Sequence, residues 1–150
     1  MKILDRVTVI LARKGTEVWS VPSDATVYSA VETMADRAVG ALLVTENGRL
    51  VGVVSERDYA RKVILQGRSS TDTFVREIMT PDPITVGPCA TVNEAMQVMT
   101  DNRFRHLPIV DDNGKILGVV SMGDLVNWII SSQDETITQL EHYITSQYPC

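Results

Sequence analysis

The sequence predicts a mixed α/β (α+β) fold made of two β-α-β-β-α units, and three observations carry that prediction. The stretch Gly52-Val53-Val54-Ser55-Glu56-Arg57-Asp58 returns as Gly118-Val119-Val120-Ser121-Met122-Gly123-Asp124. An Asn-Gly turn signal, Asn47-Gly48 and then Asn113-Gly114, precedes each copy. Ala25-Thr26-Val27 is likewise matched by Ala90-Thr91-Val92. Self-similarity at a period of about 65 residues marks duplicated supersecondary units that bury their apolar faces against one another.

In chain order, Ile3, Leu4, Val7, Ile10 and Leu11 form a helical stripe that ends at Arg13-Lys14 and Gly15. The β-branched run Val7 to Ile10 leaves a strand open as the alternative. Val18-Trp19-Ser20-Val21 reads as a short strand closed by Pro22. Ser23-Asp24-Ala25-Thr26 offers capping side chains for a helix from about Val27 to Arg37, with Val27, Ala30, Val31 and Met34 on its apolar face. Gly40 to Thr45 and Leu50 to Val54 are apolar strands joined by the Asn47-Gly48 hairpin turn. Tyr59 to Leu65 continues as a helix stopped by Gly67.

The polar segment 68–75 reads as a linker. The second unit then repeats the first. Thr85-Val86 stands for Ser20-Val21, Ala95 and Met99 for Ala30 and Met34, and Leu107 to Val110 for Leu42 to Thr45. Residues 131–148 form a last amphipathic segment through Ile137, Leu140 and Ile144, whose stripe would dock on its own chain or on a second subunit. The expected division is therefore 1–17 as a helical lead-in, 18–67 as the first repeat, 68–75 as the linker, 76–130 as the second repeat and 131–150 as the terminal helix and tail. Each half alone is near the size at which a core becomes marginal, so one cooperative pair is expected.

Composition narrows the function. A hydrophobic fraction of 44% and a charged fraction of 22% suit a globular chain. With 14 Lys and Arg against 19 Asp and Glu, a net charge of −5 provides no broad field for nucleic acid. No apolar run reaches the roughly 18–20 residues that span a bilayer. Cys89 and Cys150 read as lone cysteines, which suits a reducing compartment and a cytoplasmic location. No nucleophile has a base at recognisable spacing and no metal cluster is evident, so the expectation is a non-enzyme without metal or catalytic cofactor.

The repeated stretch holds the candidate chemistry. In each copy a strand ends at a serine and a helix begins, with an aspartate three residues on. That pattern is a capping box. It is also a helix start suited to phosphate, beside a carboxylate that can accept from both hydroxyls of a ribose. Ser55 with Asp58 and Ser121 with Asp124 are the two candidate pairs. The copies differ in their cations: Arg57 in the first is Gly123 in the second, whereas Gly40-Ala41 in the first is Arg105-His106 in the second. Arg57 would serve a phosphate at one site, and Arg105 with His106 at the other.

Together with Arg105-His106-Leu107-Pro108 and the Met79-Thr80-Pro81 entry to the second repeat, these paired motifs resemble the cystathionine β-synthase (CBS) domain family. The arrangement is that of a tandem pair, or Bateman module, and small stand-alone bacterial CBS-pair proteins are similar. The resemblance runs from about Val18 to Ile130. It implies two repeats related by a pseudo-twofold and two unequal clefts for an adenine nucleotide such as AMP, ADP, ATP or NAD(H). Carried over by position, Asp58 and Asp124 would hold ribose hydroxyls, with Ser55 and Ser121 near phosphate or ribose. Ser20, Val21, Thr85 and Val86 would line the adenine pockets, and Arg105 and His106, leading into Leu107 and Pro108, would meet phosphate. Gly40 and Ala41 depart from the basic pattern. The expected function is a regulatory module, homodimeric through the pair and its terminal helices, that signals to an effector protein in trans. The alternative is a homodimeric interaction scaffold in which the clefts are unused and the motifs are helix caps.

Overall fold

The computed structural model describes residues 5–15 and 17–131. They form two compact units. One is Val18–Pro83; the other joins the residues up to Glu17 to those from Ile84 onward. The N-terminal helix therefore belongs to the same unit as the second repeat, although the first repeat follows it in sequence.

In the unit Val18–Pro83, strand β1 (Ser20–Pro22) lies parallel to β2 (Ala41–Glu46), and β2 pairs antiparallel with β3 (Arg49–Ser55). Between β2 and β3, Asn47 and Gly48 have φ of 52° and 79°, the two left-handed residues that an Asn-Gly hairpin turn needs. Helix α2 spans Val27–Arg37, with Ser29 N–H donating to Thr26 Oγ1 at its start. Its buried Val27, Ala30 and Met34 pack with Leu42, Val44 and Val54 of the sheet. The helix expected to start at Ser55 and continue over Tyr59 to Leu65 does so as α3 (Glu56–Tyr59), which passes directly into a π-helical turn, Ala60–Ile64.

The segment read as a linker is part of this unit. Thr73 and Val75 are buried, α4 (Val75–Ile78) follows, and β4 (Thr80–Pro81) adds to the free edge of β3. Val27 N–H donates to Thr73 O at 2.8 Å and Val75 N–H to Ala25 O at 2.8 Å, so the segment brackets the start of α2.

The other unit solves the same problem with the N-terminus. Val92 N–H donates to Asp5 O at 2.7 Å and Val7 N–H to Ala90 O at 2.9 Å, bracketing the start of α5 (Val92–Asn102). Helix α1 (Val7–Lys14) follows, ending at Gly15 with φ of 99°. The strand alternative for Val7 to Ile10 is thus excluded, and Val7 through Leu11 are all buried. Strands β5 (His106–Val110) and β6 (Ile116–Ser121) pair antiparallel, and α6 (Met122–Ser131) runs on from β6. Two expectations change here. Thr85-Val86 forms only a single parallel bridge, Val86 to Ile109, in place of a strand. Asn113-Gly114 sits in a longer loop closed by Asp111, whose Oδ1 accepts from Asn113 N–H and Lys115 N–H, both at 2.9 Å.

The glycine that opens each repeated stretch has a packing role. A Cβ on Gly118 would lie 2.7 Å from a methyl of Leu11 in α1, and one on Gly52 would lie 2.5 Å from Met79 Sδ and 3.0 Å from Thr80 O. Each strand therefore carries no side chain where Leu11 of α1, or Met79 and Thr80, come against it.

Cys89 is disulfide-bonded. Cys89 is therefore not the lone cysteine expected, and it does not argue for a reducing compartment. The terminal helix expected over 131–148, and the stripe residues Ile3 and Leu4, also fall outside the described residues. Among the described residues no helix is long and apolar enough to cross a membrane.

Candidate functional site

Both candidate sites sit where the central hairpin of each repeat ends. In the first repeat β1 and β2 begin at the same end of the sheet at which β3 finishes, with Ser20 opposite Leu43 and Ala41 opposite Ser55. Ser20 is exposed and Val21 is buried in the core. The chain leaves β3 at Ser55 with extended dihedrals, and Glu56 N–H donates to Gly40 O at 3.0 Å. Ser55 Oγ accepts from Asp58 N–H at 3.2 Å, while Asp58 Oδ2 accepts from Ser55 N–H at 2.9 Å and Ser55 Oγ at 3.0 Å. This is the reciprocal capping box expected from the spacing. Lys62, one turn on, stands 3.3 Å from Asp58 Oδ1 and donates to Ile78 O at 2.9 Å. Arg57 is exposed.

The second repeat keeps the backbone and changes the side chains. Met122 N–H donates to Arg105 O at 2.9 Å, the counterpart of the Glu56–Gly40 bond, and His106 lies opposite Ser121 as Ala41 lies opposite Ser55. His106 therefore stands on the sheet face of Ser121. Val86 exchanges bonds with Pro108 O and Val110 N–H, which sets Thr85 at the same end, and Leu107 and Pro108 carry β5 into the interior. Ser121 N–H donates to Asp124 Oδ2 at 2.8 Å and Asp124 N–H to Ser121 Oγ at 3.1 Å. The residue one turn beyond Asp124 is not a lysine but the buried Trp128, whose Nε1 donates to Asp5 Oδ2 at 2.7 Å. The cation comes from α1 instead: Lys14 Nζ lies 2.6 Å from Asp124 Oδ2 and donates to Val119 O at 3.0 Å.

These charges set the ionisation of the second site. Burial, the largest influence on Asp124, acts to raise its pKa, but the hydrogen bonds from Lys14 and Ser121 and the charge of Lys14 prevail and hold it below the usual carboxylate value. His106 is pushed below 6.5 by burial first and then by Lys14, with Asp124 pulling the other way and Arg105 adding a smaller push down. The imidazole is therefore neutral at pH 7 in the free protein. The cationic His106 expected from the sequence needs a bound anion to restore its charge.

A family model for the CBS domain matches residues 14–64 and 75–131, most of the chain. The chain belongs to the CBS domain family. A mitochondrial CBS domain-containing protein of Arabidopsis thaliana, CBSX3, is 46% identical over 139 residues, covering 89% of this chain and 66% of that protein. The chain thus spans just under two thirds of that relative's length. A protein with CBS domains from Burkholderia ambifaria MC40-6 superposes with a TM-score of 0.80 at 43% identity, covering 86% of this chain and 96% of that one. A CBS domain protein from Pyrobaculum aerophilum, solved in complex with AMP, superposes with a TM-score of 0.71 at 31% identity over 79% of this chain and 88% of that one.

Within each CBS repeat the structure brings the expected serine and aspartate into direct contact and gathers Ser20 with Ser55, and Thr85 and His106 with Ser121, at one sheet end. Arg57, Arg105 and Gly123 lie exposed around them. The reading from sequence missed both lysines that meet the aspartates. Lys62 was available from its four-residue spacing to Asp58 on one helix face. Lys14 carried no such signal, being 110 residues from Asp124. Among the described residues no group of three or more His, Cys, Asp or Glu side chains could hold a metal ion.

Proposed function

We propose that this CBS pair is a non-catalytic regulatory module in which each repeat binds an adenine nucleotide, with the two sites unequal, and which signals its occupancy to a partner protein in trans. The observation that carries the reading is the serine–aspartate pair at the end of β3 and of β6, a half-buried carboxylate at a sheet end that can take the two hydroxyls of a ribose. The AMP complex of the Pyrobaculum aerophilum relative supports an adenosine-type ligand. In the second repeat Arg105 and His106 would face the phosphate, whose negative charge would raise the depressed pKa of His106 and make it a donor. In the first, Ala41 replaces the histidine, and Arg57 would serve. Ser20 and Val21, and Thr85 and Val86, would flank the base. AMP, ADP, ATP and NAD(H) all present the required ribose. The proposed assembly is a homodimer.

Thermal shift with AMP, ATP and NADH tests this. A ligand at about 100 times its dissociation constant adds about 2.7 kcal/mol, or roughly 5–10 °C for a chain of this size. Asp124→Ala should then weaken binding at least about tenfold, since a hydrogen bond to a charged group contributes about 1.5–3 kcal/mol. Absence of a shift with every adenine compound would leave the interaction-scaffold reading in its place.

A further inference from the structure

The two motif aspartates differ in which carboxylate oxygen is engaged. A carboxylate offers about two lone-pair directions on each oxygen. On Asp58 the lysine sits at Oδ1, 3.3 Å away, while Oδ2 is taken by Ser55 N–H and by the Ser55 hydroxyl, which can rotate away. On Asp124 the ammonium of Lys14, at 2.6 Å, and Ser121 N–H, at 2.8 Å, both occupy Oδ2. A cis-diol that grips a carboxylate through both oxygens must therefore clear Lys14 from Asp124, whereas at Asp58 a hydroxyl rotation suffices.

We propose that Lys14 is a ligand-displaceable latch on the second site, competing with the ribose diol for Asp124 and tying occupancy of that site to the last turn of α1. The inference rests on the nucleotide reading above. Lys14 is suited to leave: its side chain is 38% exposed, and its other bond is to a single carbonyl, Val119 O. It is also the last residue of α1, followed by Gly15 at φ 99°, so its release loosens the helix end. The body of the helix stays, because Val7 through Leu11 are buried upstream. The latch makes the second repeat discriminate between a full ribose and a sugar with one hydroxyl, because a single donor can use Oδ1 with Lys14 in place.

The test uses the full chain and neutral probes, so that removing a positive charge does not alter long-range attraction. Adenosine and 2′-deoxyadenosine are titrated into wild type and Lys14→Met, read at the backbone amide signals of Gly123 and Asp124 by NMR, with AMP as the reference ligand. Lys14→Met should bind adenosine up to about fivefold more tightly, the range of a partly exposed ion pair, and 2′-deoxyadenosine equally. In wild type the Gly15 amide should shift on the same isotherm as Gly123. Adenosine affinity that is unchanged or weaker in Lys14→Met, while AMP still binds, overturns the latch and leaves the nucleotide site standing. No response to any adenine compound, AMP included, overturns both.

Discussion

Leu11→Ala is the sharpest test of how the chain is divided. Leu11 is 1% exposed and its methyl groups lie against the strand at Gly118. Truncation removes buried carbons from a site walled by β6 backbone that has no side chain to collapse inward, so the larger part of the usual Leu→Ala range applies, about 3–5 kcal/mol. At roughly 2–4 °C per kcal/mol for a chain of this size, the midpoint should fall by about 6–20 °C. Urea denaturation gives the magnitude, and hydrogen exchange resolved by peptide gives the place. Protection should fall first in β5, β6 and α5, although Leu11 stands next to the first repeat in sequence. A loss under about 1 kcal/mol, or faster exchange confined to Val18–Pro83, would refute the assignment of α1 to the second unit.

Gly52→Ala should cost about 1–3 kcal/mol by overpacking, because the added carbon meets the carbonyl of Thr80 as well as the Met79 side chain; a neutral midpoint in urea would show that Met79 and Thr80 do not pack against β3 there. His106 gives a pH signature. Its folded pKa lies below 6.5, so the unfolded chain takes up the proton more readily, and stability present above that value is lost as pH falls through it. Wild type should lose more midpoint temperature between pH 7.5 and 5.5 than His106→Gln does, and identical pH profiles would sink the argument. Asp124, held low by Lys14 and Ser121, should contribute stability that is complete above the ordinary carboxylate range and lost as pH falls below it; acid titration of Asp124→Asn against wild type measures that contribution.

The repeat made much of the site legible. Two copies of the same serine–aspartate spacing identify the capping boxes, and the capping stretch 23–26 with its match at Ala90-Thr91-Val92 marks the starts of α2 and α5, where the structure makes Thr26 and Thr91 the caps. The paired register Ala41–Ser55 and His106–Ser121 likewise follows from aligning the two halves. The short elements were not legible. Thr80-Pro81 carries too little pattern to read as a strand, and 68–75 looks polar because only Thr73 and Val75 turn inward. The ionisation of His106 could not be read either, since it depends on burial and on a lysine from elsewhere in the chain.

The sequence by itself determined the duplicated unit, the family and the residues at the end of each hairpin, because these depend on local spacing that the chain states twice. Only the tertiary structure decided which bracketing segment serves which repeat, and with it the source of the cation on each aspartate. In the first repeat that cation is Lys62, one helical turn away. In the second the equivalent position is given to Trp128, whose bulk fills the core and whose indole holds Asp5, so the charge has to arrive with the helix that Asp5 leads into, at Lys14.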